Sequence, residues 1–108
     1  MYVDVDLTAD PADVVLRDPD DFGSLKVVVR DSGAGAAALH VALEGIGWLD
    51  ARGNAMLHTT ALKHMAAGLG RNGDWAQGFD RMVEYAASHG WVGLGGSALR
   101  AHCEWREP

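Results

Sequence analysis

The chain has 108 residues, 48% of them hydrophobic, and a formal net charge of −6. This length indicates one domain, with enough apolar residues to form a core without disulfides or a structural metal. The single cysteine, Cys103, excludes an internal disulfide and an all-cysteine zinc site. Neither a signal-peptide pattern nor an apolar run of membrane-spanning length occurs, so we expect a cytoplasmic protein without membrane contact.

The negative charge is concentrated near the N-terminus. Residues 1–24 contain seven aspartates and one arginine, whereas residues 25–108 contain eight acidic and eight basic residues. Contacts to phosphates need clustered Lys and Arg side chains, which neither part of the chain provides. We therefore expect an acidic N-terminal segment on a neutral body and no nucleic-acid partner.

The first elements are two strands with a short helix between them. Residues 2–7 alternate between apolar and polar side chains, which predicts a half-buried strand. An aspartate followed by Pro11 predicts a short helix from Pro11 to about Arg17. A second strand is predicted for residues 25–30. Residues 1–24 are therefore interpreted as an acidic strand and short-helix segment.

Further along the chain, apolar residues recur every three or four positions and predict three helices. The third is the most regular, and glycines are expected at the C-terminal ends. The helices are predicted for residues 36–46, ended by Gly47, for residues 59–69, and for residues 75–89, capped by Asp74 and ended by Gly90.

The last segment alternates from Ser97 onward and follows a glycine-rich tip at residues 93–96, which predicts a hairpin. This region also contains an internal repeat, because residues 47–56 align without gaps on residues 90–99. In the final strand the residues expected to face inward are Leu99, Ala101, Cys103 and Trp105, and those expected to face outward are Arg100, His102 and Glu104.

The order of predicted elements over residues 36–105 resembles that of winged helix-turn-helix domains. The resemblance implies that Thr59–Leu69 is the first helix of the helix-turn-helix, Trp75–His89 the recognition helix and Gly93–Gly96 the wing tip. We therefore expect an α+β fold. It would be a helix-rich single domain over residues 1–108, with a small antiparallel sheet and a winged-helix-like C-terminal two-thirds.

The expected recognition helix lacks the charges that DNA binding needs. Its early residues are Asp74, Trp75, Gln77 and Asp80, with Arg81 as the one basic residue. Carboxylates close to phosphates are repelled, so DNA is not expected as a partner. Domains of this type also serve in dimerisation or partner docking, which a neutral body suits better.

One pattern suggests a dinucleotide site. Residues 33–38 match G-x-G-x-x-A after a predicted strand, and Asp50 lies near the distance at which a ribose-binding acid is sought. The remaining parallel strands of a dinucleotide-binding fold are not predicted, so a tightly packed loop explains the pattern better. We expect no cofactor.

A second pattern suggests a metal site. If the first and last strands were neighbours, Asp4 and Asp6 could converge with His102 and Glu104 on a divalent metal. Alternating polar side chains on a solvated sheet face explain the same residues, and we expect no metal. If the protein is an enzyme, His102 is the candidate general acid/base, with Glu104, Arg100 and Asp4 beside it.

The four tryptophans, Trp48, Trp75, Trp91 and Trp105, are expected either to form the core or to supply two residues that line a pocket or a dimer seam. Four indoles in one small domain favour self-association as a twofold dimer. We expect a non-catalytic interaction or regulatory module that forms a homodimer and binds a protein partner. The alternative is a small enzyme or ligand-binding protein with a Trp/His-lined pocket, in which His102 is the general acid/base.

Overall fold

The computed structural model describes residues 1–107, in which the chain forms seven β-strands, three α-helices and one 3-10 turn. The strands are β1 (Tyr2–Asp6), β2 (Asp13–Arg17), β3 (Lys26–Arg30), β4 (Gly47–Leu49), β5 (Ala55–His58), β6 (Val92–Gly93) and β7 (Ala98–Arg106). The helices are α1 (Gly35–Ala42), α2 (Thr59–Gly68) and α3 (Gly73–Ser88), and the 3-10 turn is Leu94–Gly96. No helix within the described range is long and apolar enough to cross a membrane.

The strands form one mixed sheet in the order β2-β1-β3-β7-β5-β4, with β6 paired to β7 outside this path. The pairs β1–β3 and β3–β7 are parallel, and the other pairs are antiparallel. Strand β7 changes neighbours along its length. Residues 98–101 pair with β5, whereas residues 102–106 pair with β3. The short β6 pairs with Ala98 and Leu99 on the edge of β7 opposite β5.

The expected helix-rich fold with a small antiparallel sheet is therefore wrong, because the chain forms a mixed α/β fold on one large sheet. The winged-helix-like body is wrong for the same reason. Its expected wing strand is a central strand of the mixed sheet, and its main partner there is the parallel β3. The acidic segment, residues 1–24, supplies β1 and β2 of this sheet and leads directly into β3.

The predicted helix from Pro11 to Arg17 is also wrong, because residues 13–17 form β2. This strand pairs with β1 over its whole length, from Tyr2 opposite Arg17 to Asp6 opposite Asp13. Its sequence, Asp-Val-Val-Leu-Arg, contains two adjacent β-branched residues that fit a pleated surface. Pairing with β1 outweighs the local helix-start signal at Pro11.

The predicted helix ends are partly right. Helix α1 ends at Ala42, and Gly45 rather than Gly47 takes the positive φ (85°) that reverses the chain. The cap of α3 is Asn72, whose side chain accepts a hydrogen bond from the backbone N–H of Asp74 at 3.1 Å. Gly90 has the positive φ (73°) expected after α3.

One face of the sheet packs against the helices. Alternate residues of five strands point to this face and form one buried cluster with residues of all three helices. The strand residues are Val3, Val5, Leu16, Val27, Val29, Ala55, Leu57, Leu99, Ala101 and Cys103, and the helix residues are Leu39, Leu62, Ala66, Trp75, Phe79 and Ala86, joined by Leu43 just after α1.

The opposite face, which we call the open face, is mostly charged. In the sheet register, the rows across β1, β3 and β7 are Tyr2–Lys26–His102, Asp4–Val28–Glu104 and Asp6–Arg30–Arg106. Val28 is buried at the centre of these rows although it points away from the helices.

The two repeated segments, residues 47–56 and 90–99, lie in two hairpins, β4–β5 and β6–β7. The pairing of β5 with β7 places these hairpins side by side. Gly47 begins the first hairpin and is paired with Leu57. A Cβ atom at Gly47 would lie 1.9 Å from the carbonyl oxygen of Met56. The backbones therefore approach here more closely than a side chain permits.

We expect Gly47→Ala to lower the free energy of unfolding by about 2–3 kcal/mol, because the new methyl forces the two strands apart. Gly68→Ala is the matched control, since a Cβ there meets nothing within 4 Å. That control should change stability by less than about 1 kcal/mol. Urea denaturation of both variants measures the difference, and equal stabilities would contradict the close approach.

Candidate functional site

A cleft of about 430 Å³ opens at the edge of β7, between the start of β6 and the start of β3. We call it the Trp91 cleft. Three segments distant in sequence form it: the loop before β3, the second half of α3 and the β6–β7 hairpin. Its lining residues are Phe22, Gly23, Ser24, Leu25, Met82, Tyr85, Ala86, Trp91, Leu99 and Arg100.

Helix α3 and the turn before it hold the loop that forms one wall of the cleft. The indole N–H of Trp75 donates a hydrogen bond to the carbonyl of Pro19 at 2.7 Å. Arg71 donates two hydrogen bonds to the carboxylate of Asp20, at 2.9 and 2.7 Å. This bidentate pair and the indole bond position the loop against the helix.

The loop packs closely on α3 at Phe22. A Cβ atom at Gly78 would lie 2.6 Å from a ring carbon of Phe22, so this turn of the helix accepts only glycine without a shift of the ring. The Phe22 ring also contacts Trp75, with 5.8 Å between ring centroids. The cleft wall is therefore part of the packed structure and not a loose loop.

Three aromatic rings stand together at the rim of the cleft. The His89 ring lies 4.3 Å from the ring of Tyr85 and 4.7 Å from that of Trp91, measured between centroids. His89 Nδ1 is 3.0 Å from the carbonyl oxygen of Tyr85, which holds the imidazole in place. Tyr85 is 60% exposed and Trp91 45% exposed, so both rings present apolar surface to solvent.

Arg100 is the one charged residue among the lining residues of the cleft. Its Nη2 donates to the carbonyl of Gly90 at 2.8 Å, and its backbone N–H donates to the carbonyl of Trp91 at 2.9 Å. The backbone N–H of Asn54 lowers the pKa of Asp50, and the positive charge of Arg100 adds to this effect. The guanidinium keeps its remaining N–H donors free of hydrogen bonds to any described residue.

The other two residues of the outward row on β7 lie away from the cleft. Glu104 binds Lys26 at 2.9 Å and Arg106 at 3.1 Å, and these two bonds hold the pKa of Glu104 below its usual value. His102 is exposed, and its ring makes no hydrogen bond to a residue in the described part of the chain. The structure therefore brings no acid/base pair together at His102, and its catalytic role stays a prediction.

The paired acids of β1 do not meet the last strand. Strand β3 lies between β1 and β7, so Asp4 and Asp6 are two strand spacings, about 10 Å, from the row of His102 and Glu104. Lys26 and Arg30, on β3, lie between these two aspartates and the side chains of His102 and Glu104. Within residues 1–107, no group of three or more His, Cys, Asp or Glu residues is arranged to hold a metal ion.

The four tryptophans lie in separate environments. Trp75 is buried in the core, and Trp48 is half-buried against His58, with 5.3 Å between ring centroids. Trp105 is 44% exposed at the far end of β7. Of the four, Trp91 lines the cleft, and the role of the tryptophans in a dimer seam stays a prediction.

The glycine-rich pattern at residues 33–38 forms the start of α1, where the side chain of Asp31 binds the backbone N–H groups. The Asp31 carboxylate accepts hydrogen bonds from the backbone N–H groups of Gly33, Ala34 and Gly35, at 3.0, 2.7 and 3.0 Å. It occupies the position that a phosphate takes at such a helix start. Asp50 is likewise bonded to the backbone of its own turn, at Arg52 and Asn54.

Sequence reasoning named Trp91 and Arg100 as site residues, and the structure places both in one cleft. It missed Phe22, Tyr85 and His89. Tyr85, in the last turn of α3, and His89, which caps the helix, are spaced i and i+4, and this spacing could have marked them as a pair. No signal in the sequence associates Phe22 with them, because the loop reaches α3 through tertiary contacts.

Comparisons of the chain with protein-family models, with curated proteins and with solved structures found no match.

We expect stability to depend on pH through Asp31. The backbone N–H of Gly35, with those of Ala34 and Gly33, holds the pKa of Asp31 below its ordinary value of 3.8. The stabilisation is thus complete above about pH 4 and is lost as the pH falls through the lowered pKa. Asp31→Asn should therefore lower the melting temperature at pH 7 and have a much smaller effect near pH 2.

Asp10→Asn is the control, because the carboxylate of Asp10 makes no hydrogen bond to a described residue. It should leave the melting temperature at pH 7 nearly unchanged. A loss on Asp31→Asn that is the same at both pH values would show that the carboxylate charge is not what stabilises the start of α1.

Proposed function

We propose that the protein is a non-catalytic binding protein that holds a small organic anion with a flat apolar body in the Trp91 cleft. The observation that supports this function is the placement of Arg100 in an otherwise apolar and aromatic cleft. A volume of about 430 Å³ falls within the roughly 300–1,000 Å³ range of small-molecule sites.

The apolar wall suits a planar ligand. Phe22 and Trp91 offer ring faces and edges to an aromatic body, and such contacts add to the free energy of area burial. Met82 also lines the cleft and adapts its shape to different ligands, since its side chain is unbranched and polarisable. An aromatic or fused-ring ligand therefore matches the cleft better than a sugar or a peptide backbone.

The charge of the cleft favours an anion. The chain as a whole has a net charge of −6, yet the one charged lining residue is a guanidinium. Arginine binds carboxylates with paired, charge-assisted hydrogen bonds. A cationic ligand would meet Arg100 without an acidic lining residue to balance it, and a neutral ligand would leave the guanidinium without an anionic partner in the cleft.

Binding without catalysis fits the lining residues. They include no His, Asp, Glu, Cys or Lys that could act as a base or nucleophile toward a bound molecule. The hydroxyl of Ser24 donates a long hydrogen bond, 3.5 Å, to the carboxylate of Asp21, which is not a lining residue, and the Tyr85 hydroxyl makes no hydrogen bond to a described residue. His102 lies on another part of β7.

Arg100→Met tests the anion preference, because it keeps the apolar stem and removes the charge. For 2-naphthoate we expect the dissociation constant to rise by about tenfold or more, equivalent to about 1.4 kcal/mol. For the neutral isostere 2-naphthamide it should change by less than about threefold, since that ligand makes no ion pair. Isothermal titration calorimetry of both ligands measures this, with Arg52→Met as the matched control.

A wild-type protein that binds neither ligand, or binds both equally, would contradict the proposal. Gly78→Ala provides a second check that leaves every charge in place. Its methyl group displaces the Phe22 ring, so affinity for both ligands should fall while the preference for the anion is kept.

Self-association is a second candidate function, supported by the exposure of Tyr85 and Trp91, whose ring centroids lie 6.1 Å apart, and of Leu94, three residues after Trp91 in the chain. Exposed large apolar side chains of this kind are typical of interfaces. The occupant of the rim would be a second copy of the chain, which would compete with the small ligand for Trp91.

Sedimentation velocity over a range of concentrations tests this candidate. We expect a dimer that Trp91→Ala dissociates and that Trp105→Ala leaves intact. Trp105 is the matched control because it is about as exposed as Trp91 but lies at the far end of β7, away from the cleft. A wild-type monomer at all concentrations would exclude the homodimer. Dissociation by Trp105→Ala alone would place the interface away from the cleft.

A further inference from the structure

The outer edge of β2 is an unpaired edge of the sheet. In the strand order, β2 lies at one end and β4 at the other. Strand β4 has three residues, whereas β2 has five and pairs with β1 in an unbroken register. Apart from its bonds to β1, β2 makes no backbone hydrogen bond to a residue in the described range. Every second residue of β2 therefore directs a free N–H and C=O outward, where another strand can pair with them.

Neighbouring residues of β2 face opposite sides of the sheet. Val14 and Leu16 point to the core side, and Leu16 is buried there. Asp13, Val15 and Arg17 point to the open face, and Val15 is 38% exposed. On the open face this edge therefore has an acid at its start, an exposed apolar residue at its centre and a base at its end.

The acid at the start of β2 lies beside a like charge. In the register of β1 and β2, Asp13 is directly opposite Asp6. None of the ion pairs among residues 1–107 includes Asp13. Like charges in directly opposite positions destabilise an antiparallel pair. A cation next to Asp13 on the outer edge would offset this repulsion.

The base at the end of β2 has donors left for such a contact. Arg17 donates from Nε to Asp4 Oδ2 at 3.3 Å, and its two Nη groups make no hydrogen bond to a described residue. The side chain is 52% exposed. The remaining N–H groups of Arg17 can therefore bind a carboxylate that arrives at the edge.

The charges of β2 are self-complementary under a twofold axis. When two copies of residues 13–17 pair antiparallel about Val15, each Asp13 lies opposite Arg17 of the other copy, and the two Val15 side chains meet. Opposite charges in such positions stabilise an antiparallel pair. A shift of one residue would place the core side of one copy against the open face of the other. A shift of two residues would leave neither aspartate opposite an arginine.

We propose that the outer edge of β2 binds a second copy of the chain, edge to edge, so that the sheet continues across a twofold axis. The contact consists of backbone hydrogen bonds between the two β2 strands, two Asp13–Arg17 ion pairs and a Val15–Val15 contact on the open face. Five residues on each side make a small interface, so the association is weak and reversible. It involves neither the Trp91 cleft nor its rim and does not rest on the function proposed for them.

Trapping by a disulfide detects this contact directly. In Val15→Cys the two new thiols face each other across the axis, at a Cα–Cα distance of about 4.5–5.5 Å, which a disulfide can span. With oxidised glutathione as the oxidant, we expect a covalent dimer to form at least about tenfold faster than in Val41→Cys, because the paired strands hold the thiols together. Val41 is an exposed valine on α1, and the buried Cys103 is present in both variants. Non-reducing gel electrophoresis measures the dimer.

Charge reversal tests the pairing of Asp13 with Arg17. Adding Asp13→Lys to Val15→Cys places a lysine opposite Arg17 of the second copy, so trapping should slow by about tenfold or more. The melting temperature should not fall, because the lysine also lies opposite Asp6 and removes the repulsion there. Glu44→Lys is the matched control, since it makes the same change of charge at an exposed residue between α1 and β4, at the other end of the sheet.

Mixing two variants restores the charge pairs. Arg17→Glu, added to Val15→Cys, places a glutamate opposite Asp13 of the second copy and should also slow trapping. Mixed with the Asp13→Lys variant, it should form mixed dimers at a rate close to that of Val15→Cys, because both charge pairs are then attractive. Mass spectrometry of the covalent products identifies the mixed dimer.

Three results would overturn the proposal. One is trapping of Val15→Cys that is no faster than that of Val41→Cys. Another is trapping that Asp13→Lys does not slow, or that Glu44→Lys slows equally. The third is an absence of mixed dimers although both charge variants keep the melting transition of the wild-type protein.

Discussion

Strand β7 pairs with different neighbours along its two halves. It thereby joins β1, β2 and β3 to β4, β5 and β6 in one sheet. Its first half pairs with β5 and β6, and its second half pairs with the parallel β3. Strands β3 and β6 pair with the same edge of β7, one after the other. The start of β6 lies opposite Leu99 and the start of β3 opposite His102, so a space remains between the two strands. The Trp91 cleft lies in that gap, so the position of the candidate site is a direct result of the strand order.

Local sequence patterns predicted the elements that are determined by local interactions. The strand at residues 2–6, helix α3 with its stop at Gly90, and the alternation of β7 were all recognisable from periodicity and turn residues. The fold class was not, because it depends on parallel pairing between distant segments. The β2 segment shows the difference. Its helix-start signal is real, but backbone bonds to β1 stabilise a strand instead.

The same division applies to the candidate site. Alternation along β7 put Arg100 on the face opposite the core, and apolar patterning marked Trp91 as a pocket or interface residue. Their closeness to Phe22 depends on the loop bonds at Trp75 and Arg71, which no local pattern reveals. The charges of β2 were visible in the sequence, but the position of this strand at the end of the sheet was not, because the segment was expected to be a helix.

The parallel pairing of β3 with β7 also has a consequence for how the chain folds during synthesis. These strands lie near opposite ends of the described residues, so β1, β2 and β3 emerge from the ribosome long before their sheet neighbour exists. Contacts between such distant segments are slow to form. Until β7 arrives, the apolar residues of β3 have an exposed edge, and a nascent chain in this state is open to capture by chaperones or by another copy.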